Sequence, residues 1–187
     1  MTERERSDRY WESVTDFDVY SLTYGSLPDI TRNVHLIVLG TVTSLQDGEI
    51  KPFEGKRPRQ TRFGVVRIDE VLRGTPQVKL AGTILVADLG LVTTTDEDLP
   101  NDGVILFLMN YAQMRSDAGF APSSDPDDGY YYARPNGYQG VLRNLDGLVD
   151  LVDGPPDWEV HFGPYPAQLD GDPFDAVLDR VRALGRA

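Results

Sequence analysis

Four runs of apolar and β-branched residues set the limits on how this chain can fold: VHLIVLGTVTSL (34 to 45), TRFGVVRIDEVLRG (61 to 74), TILVADL (83 to 89) and VILFLMNYA (104 to 112). Each is too short for a membrane span, and turn formers bound each one, which is the pattern of strands joined by loops. GYYYARP (129 to 135), GYQGVLRNLDG (137 to 147) and LVDLV (148 to 152) read as further short strands, with LDG as a tight turn. No stretch between the strands carries a helical apolar period, so crossover helices are not expected, and parallel pairing is not either. QMRSDAGFAPSSDPDDG (113 to 129), rich in Pro, Ser, Gly and Asp, reads as a long loop. Within RIDEVLRG the charged pair Asp69 and Glu70 reads as a corner, where the strand leaves the sheet and Val71 and Leu72 turn back. Gly74 and Pro76 would then break the chain.

Helices are expected only at the ends of this β region. SLPDITRNV opens with Ser26 as N-cap, Pro28 in the first turn and Asp29 beside it. In the tail, Phe174, Val177, Leu178, Val181 and Leu184 recur at spacings of three and four, one apolar helical face. Asp172 is the expected cap, and Arg180, Arg182 and Arg186 lie toward the end that favours cations. The expectation is a mainly β protein, a small antiparallel barrel of five to six strands with a short N-terminal helix and a C-terminal amphipathic helix. Three regions follow: an aromatic and charged arm at 1 to 25, a barrel domain at 26 to 152, and a Pro/aromatic segment with the last helix at 153 to 187.

A chain of 187 residues can bury a sizeable core without a covalent staple. It contains no Cys, which removes disulfides, thiolate metal sites and a thiol nucleophile. MTERERSDRYWESVTDFD lacks the apolar core of a signal peptide, so a cytoplasmic location is expected unless an export signal has been removed. The formal net charge of −12 is unevenly spread: residues 51 to 79 hold eight cations against three acids, and residues 80 to 179 hold eighteen acids against three arginines. Such a field repels duplex nucleic acid and anionic lipid over most of the surface.

The order of a short polar helix, HLIVLGTVTSL, TRFGVVRIDEVLRG, GTILVAD, DGVILFLMNY, GYQGVLRNLDGLV and a terminal helix resembles the netrin/TIMP-like (NTR-like) OB-type barrel domains of bacteria. The resemblance covers about residues 26 to 152. It implies an OB/NTR-like antiparallel barrel and a tendency to bind, with no activity attached. Animal protease inhibitors of this type act through an N-terminal Cys, which is missing here, so metalloprotease inhibition is not implied.

Catalytic signals are weak. His35 and His161 are far apart, and the acidic runs Asp96, Glu97, Asp98 with Asp102, and Asp125, Asp127, Asp128, lack the full calcium-loop pattern. No phosphate-cradling, dinucleotide or nucleophile-elbow motif is present. The expectation is therefore no enzyme, no metal, no cofactor and no small-molecule substrate.

Two binding readings remain. In the first, the chain is a non-enzymatic protein-binding or assembly module, an accessory component of a larger particle such as a bacteriophage head or tail. Its partner would be neighbouring copies or another protein. The arm residues Tyr10, Trp11, Phe17, Tyr20 and Tyr24, and the C-terminal aromatics Trp158, Phe162 and Tyr165, are the expected docking groups. The bland alternative is that both segments cover the barrel of their own chain. In the second reading, the basic loop with Lys51, Phe53, Lys56, Arg57 and Arg59 joins Tyr130, Tyr131, Tyr132 and Tyr138 in a track for single-stranded nucleic acid, which the acidic net charge disfavours.

Overall fold

Two fifteen-residue strands, β1 (Leu36–Ile50) and β2 (Arg59–Arg73), form the frame, paired antiparallel from Ile37 opposite Arg73 to Ile50 opposite Arg59. The computed structural model describes residues 1–15, 23–50, 59–91, 93–123, 125–135, 139–151 and 165–186. Ahead of the frame lie α1 (Glu3–Thr15) and α2 (Leu27–Asn33). After it come β3 (Thr83–Ala87), β4 (Val104–Asn110), α3 (Tyr111–Asp117), β5 (Tyr131–Ala133), β6 (Val141–Leu145), β7 (Leu148–Asp150) and α4 (Phe174–Gly185). The protein is thus mostly β, seven strands in one sheet with four helices among the described residues. None of those helices is long and apolar enough to cross a membrane.

β1 pairs with β2 along its length and, over Leu36 to Gly40, with β4 on its other side. β2 pairs with β3, β4 with β5 and with β6, and β6 with β7, all antiparallel. β3 and β5 run parallel, with Leu85 opposite Tyr131 and Val86 opposite Tyr132. This corrects the expectation of a purely antiparallel sheet. The connection from β3 to β5 contains β4 and α3, and so has the length a parallel return needs.

At β4 both faces of the sheet are buried, and this is why that strand reads as a continuous apolar run. On one face Leu36, Val38, Val66, Ile84, Leu106 and Tyr132 pack with Tyr10, Trp11 and Val14 of α1. On the other, Ile37, Ile105, Phe107 and Leu142 pack with Leu27 and Ile30 of α2 and with Phe174, Val177, Leu178 and Val181 of α4. The apolar stripe expected on the tail helix is the stripe that is buried.

Two local expectations are met in detail, and one close approach of strands stands beside them. The Ser26 hydroxyl accepts from the Asp29 amide at 3.3 Å, capping α2. Asp146 and Gly147 both adopt positive φ, 55° and 84°, and close the β6–β7 hairpin. A register shift falls between Leu39 and Gly40, and a Cβ at Gly40 would lie 2.4 Å from the Arg67 carbonyl oxygen, so the strands cross too closely there for any side chain.

Three expectations are corrected. β2 runs unbroken through Asp69 and Glu70 to Arg73, and the chain turns only at Gly74, φ 82°. Asp69 lies on the exposed face of the strand, paired with Arg67, while Glu70 shares the other face with Leu72 and is held by Arg182 of α4, so alternation and ion pairing rather than a corner account for the two charges. The segment after β4 is not all loop: α3 forms there because the Asn110 side chain caps the Gln113 amide at 3.1 Å, and Tyr111 and Met114 are buried. Asp172 does not cap α4, since Pro173 stands between it and the helix. The first free amide, that of Phe174, donates instead to the Gly147 carbonyl at 2.9 Å.

Candidate functional site

The arm aromatics within the described residues face inward. Tyr10 and Trp11 are 2% and 0% exposed, meet edge to face with centroids 4.9 Å apart, and the Tyr10 hydroxyl donates to the Leu89 carbonyl at 2.5 Å. Burial pushes the Tyr10 phenol above its ordinary range. Tyr24 and Tyr165, distant in sequence, meet at Gln139, which is fully buried. Its Oε1 accepts from the Tyr24 amide at 2.7 Å, and its Nε2 donates to the Tyr24 and Tyr165 carbonyls at 2.8 and 3.1 Å. In these four positions the chain covers its own core. Phe17, Tyr20, Trp158 and Phe162 lie outside the described residues.

Of the basic loop, Lys51, Phe53, Lys56 and Arg57 also lie outside the described residues. Arg59 is described, and its guanidinium forms a two-pronged pair with Asp88, at 2.8 and 2.7 Å. Tyr131 stacks on Phe63 with centroids 4.6 Å apart, and Tyr132 is buried with its hydroxyl accepting from the Gln77 amide at 2.8 Å. Tyr138 is outside the described residues.

The acidic runs have structural work. Asp96 accepts from the Leu45 amide at 2.8 Å, Asp98 accepts from the Thr95 amide and hydroxyl, and Asp127 pairs with Lys79 at 2.5 Å. Asp102 accepts from Ser7. Among the described residues no group of three or more potential ligands is placed to hold a metal ion.

What the sequence does not announce is a groove of about 440 Å³ where β1 begins and β2 and β4 end. Arg32 from the last turn of α2, His35 before β1, Arg73 at the end of β2, Gln77 beyond it, and Asn110 and Gln113 at the β4–α3 junction contribute to its walls. His35 is the pin. Its Nδ1 accepts from the Asn110 amide at 3.0 Å, which leaves the ring proton on Nε2, donated toward Asp117 Oδ2 at 3.2 Å. The Gln113 amide donates to the other Asp117 oxygen at 2.8 Å, and these two bonds hold the Asp117 carboxyl below its usual range. With both ring nitrogens engaged, His35 positions the wall and has no lone pair to offer a substrate proton. The carbonyl of His35 would sit 2.2 Å from a Cβ at residue 74, so Gly74 is what lets the β2 turn close against this wall.

Among the described residues the groove lining includes two arginines and no carboxylate, in a chain with thirty acids and eighteen Lys and Arg. Its contributors span residues 32 to 132, each ordinary in its own segment, and no local motif could have gathered them. Comparison with known protein families, with curated proteins and with solved structures gives no match.

Proposed function

We propose that this protein is a non-enzymatic protein-binding or assembly module on an OB/NTR-like barrel. The barrel reading is supported by the order of pairings: β1 to β2, β2 to β3, β3 to β5, β5 to β4 and β4 back to β1. The α1-facing apolar set would then be the barrel interior, with α1 closing one end. β6 and β7 extend the β4 side, and α2 and α4 clothe the exterior.

The observation that carries the binding reading is the groove at the strand ends. It is polar, open and built from several separate segments, and its histidine is locked by two hydrogen bonds rather than poised for proton transfer. A role in a larger particle such as a bacteriophage head or tail accords with a chain whose Tyr10, Trp11 and Tyr24 are spent on folding and whose polar groove remains for a neighbour. The single-stranded nucleic-acid reading is less well supported, because Arg59, Tyr131 and Tyr132 are engaged within the chain and the net charge is −12.

The test is native mass spectrometry of the untagged protein purified from its own source. One protein, or further copies of this chain, in fixed ratio supports the reading. Nucleic acid in fixed ratio, or a bare monomer at every concentration, overturns it.

A further inference from the structure

Most of the described arginines in this protein find carboxylates. Arg59 lies 2.7 Å from Asp88, Arg67 2.9 Å from Asp69, Arg143 2.6 Å from Asp8 and Arg182 2.6 Å from Glu70. With thirty acids against eighteen Lys and Arg, that outcome is what composition favours. Arg32 and Arg73 are among those that depart from it, with Arg9 and Arg186: none of the four forms an ion pair among the described residues, and Arg32 and Arg73 line the same groove. Asp117, which shares His35 and Gln113 with the groove, is taken by those two side chains.

We propose that the groove binds a carboxylate of a protein partner, held between Arg32 and Arg73. This rests on the protein-binding reading above and names the chemistry it would use. A guanidinium presents a planar fork of donors that matches a carboxylate, and partial enclosure strengthens such a pair relative to an open surface. Thr75 and Gln77 add a hydroxyl and an amide to the same lining, so an anion seated there has neutral donors as well. The overall charge selects against polyanions. An acidic tract or a nucleic-acid strand meets the repulsion of a −12 chain along its length, whereas one carboxylate on a neutral or basic polypeptide meets chiefly the local cations within a Debye length of about 8 Å. The carboxylate can come from a Glu or Asp side chain or from a chain end; the chemistry at the arginines is the same.

The experiment follows the Nε–Hε resonances of Arg32 and Arg73 by NMR while the protein is titrated with small probes. N-acetylglutamate methylamide against N-acetylglutamine methylamide tests the side-chain source. N-acetylglycine against N-acetylglycinamide tests the chain-end source. A twelve-residue oligothymidylate is the polyanion control. Saturable shifts at both arginines with either acid, about tenfold weaker with its neutral amide, together with a saturable shift of the Thr75 and Gln77 backbone amides that is lost in the Arg32→Gln/Arg73→Gln double variant, support the proposal. Equal response to acid and amide, no saturable response to either acid, an unaltered response in the double variant, or tighter binding of the oligothymidylate at these arginines overturns it. Both arginines are on the surface side of the fold, so the double variant is expected to keep the parent melting temperature, which is checked alongside. A fixed-ratio partner whose binding survives the double substitution would sink this inference while leaving the protein-binding reading intact. Carboxylate binding in a protein that never holds a partner would do the reverse.

Discussion

Arg143 on β6 donates to Asp8 on α1 at 2.6 Å, and the same guanidinium also bonds Ser7 and Asp150. One nearly buried cation, 4% exposed at its side chain, therefore ties the N-terminal helix to the β6–β7 hairpin. Removing it leaves Asp8 and Asp150 with only the more distant and exposed Arg4, at 4.0 and 3.9 Å, and takes the favourable field from Asp102. Arg143→Ala is expected to cost about 3 kcal/mol of unfolding free energy, measured by urea denaturation. A loss no larger than that of an exposed ion pair would show that α1 is held by its apolar face alone.

That apolar face is the second hold. Trp11 is fully buried among sheet residues, and Arg134 donates through Nη2 to the Val14 carbonyl at 2.6 Å, near the end of the helix. Trp11→Ala is expected to destabilise by about 3 to 5 kcal/mol, and deletion of residues 1 to 15 to expose the α1-facing core to a hydrophobic dye. The sequence alone suggested an arm at 1 to 25, outside the barrel, with aromatics that dock on a partner. A deletion variant with the parent melting temperature and no dye binding would restore that view.

Glycine substitutions separate steric need from chance. At Gly40 a Cβ would meet backbone at 2.4 Å, and at Gly74 it would meet the His35 carbonyl at 2.2 Å with φ at 82°, whereas at Gly103 nothing lies within 4 Å. Gly40→Ala and Gly74→Ala are each expected to lower stability by about 2 kcal/mol or more, and Gly103→Ala to change it by under about 0.5 kcal/mol. Gly74→Ala should also disturb the Arg73 resonance, because it displaces the groove wall.

Two carboxylates titrate in opposite directions. Arg182 donates to both Glu70 oxygens, at 3.0 and 2.6 Å, and holds the Glu70 carboxyl below its ordinary value. Its contribution is present above the unfolded pKa and is lost as pH falls through the folded one. For a pair this exposed it is worth about 0.5 to 1 kcal/mol, and Glu70→Gln should flatten the acid limb of the stability curve by that amount. Desolvation raises the Asp102 carboxyl, against the bond from Ser7 and the field of Arg143. For that group the stability is greatest below the unfolded pKa and declines as pH rises through the folded one. Carboxyl carbon NMR titration checks both, and a Glu70 midpoint above the ordinary glutamate value, or an Asp102 midpoint below the ordinary aspartate value, would contradict the assignments.

Strand positions, the α2 cap, the β6–β7 turn and the apolar stripe of α4 were legible because they depend on contacts within a few residues: a hydroxyl three positions from an amide, a period of two or of three to four. The parallel pairing of β3 with β5 was not, since it depends on where the 43 residues of connecting chain, 88 to 130, return. Nor was the fate of Tyr10, Trp11, Tyr24 and Tyr165. An aromatic residue beside charges reads equally well as a docking group or as one edge of an amphipathic helix, and burial in the chain's own core is decided by what the sheet leaves uncovered.

The sequence by itself determined that this is a β-rich, cysteine-free, strongly acidic chain with helices at its ends, because composition and periodicity are local properties. Only the tertiary structure decided that α1 is part of the core, that Arg59 is committed to Asp88, and that Arg32 and Arg73 share one groove. Arginine looks the same in sequence whether or not a carboxylate stands opposite it. Which arginines have such a partner is set by strand register and by where the chain folds back, and these are long-range relations that no window of sequence contains.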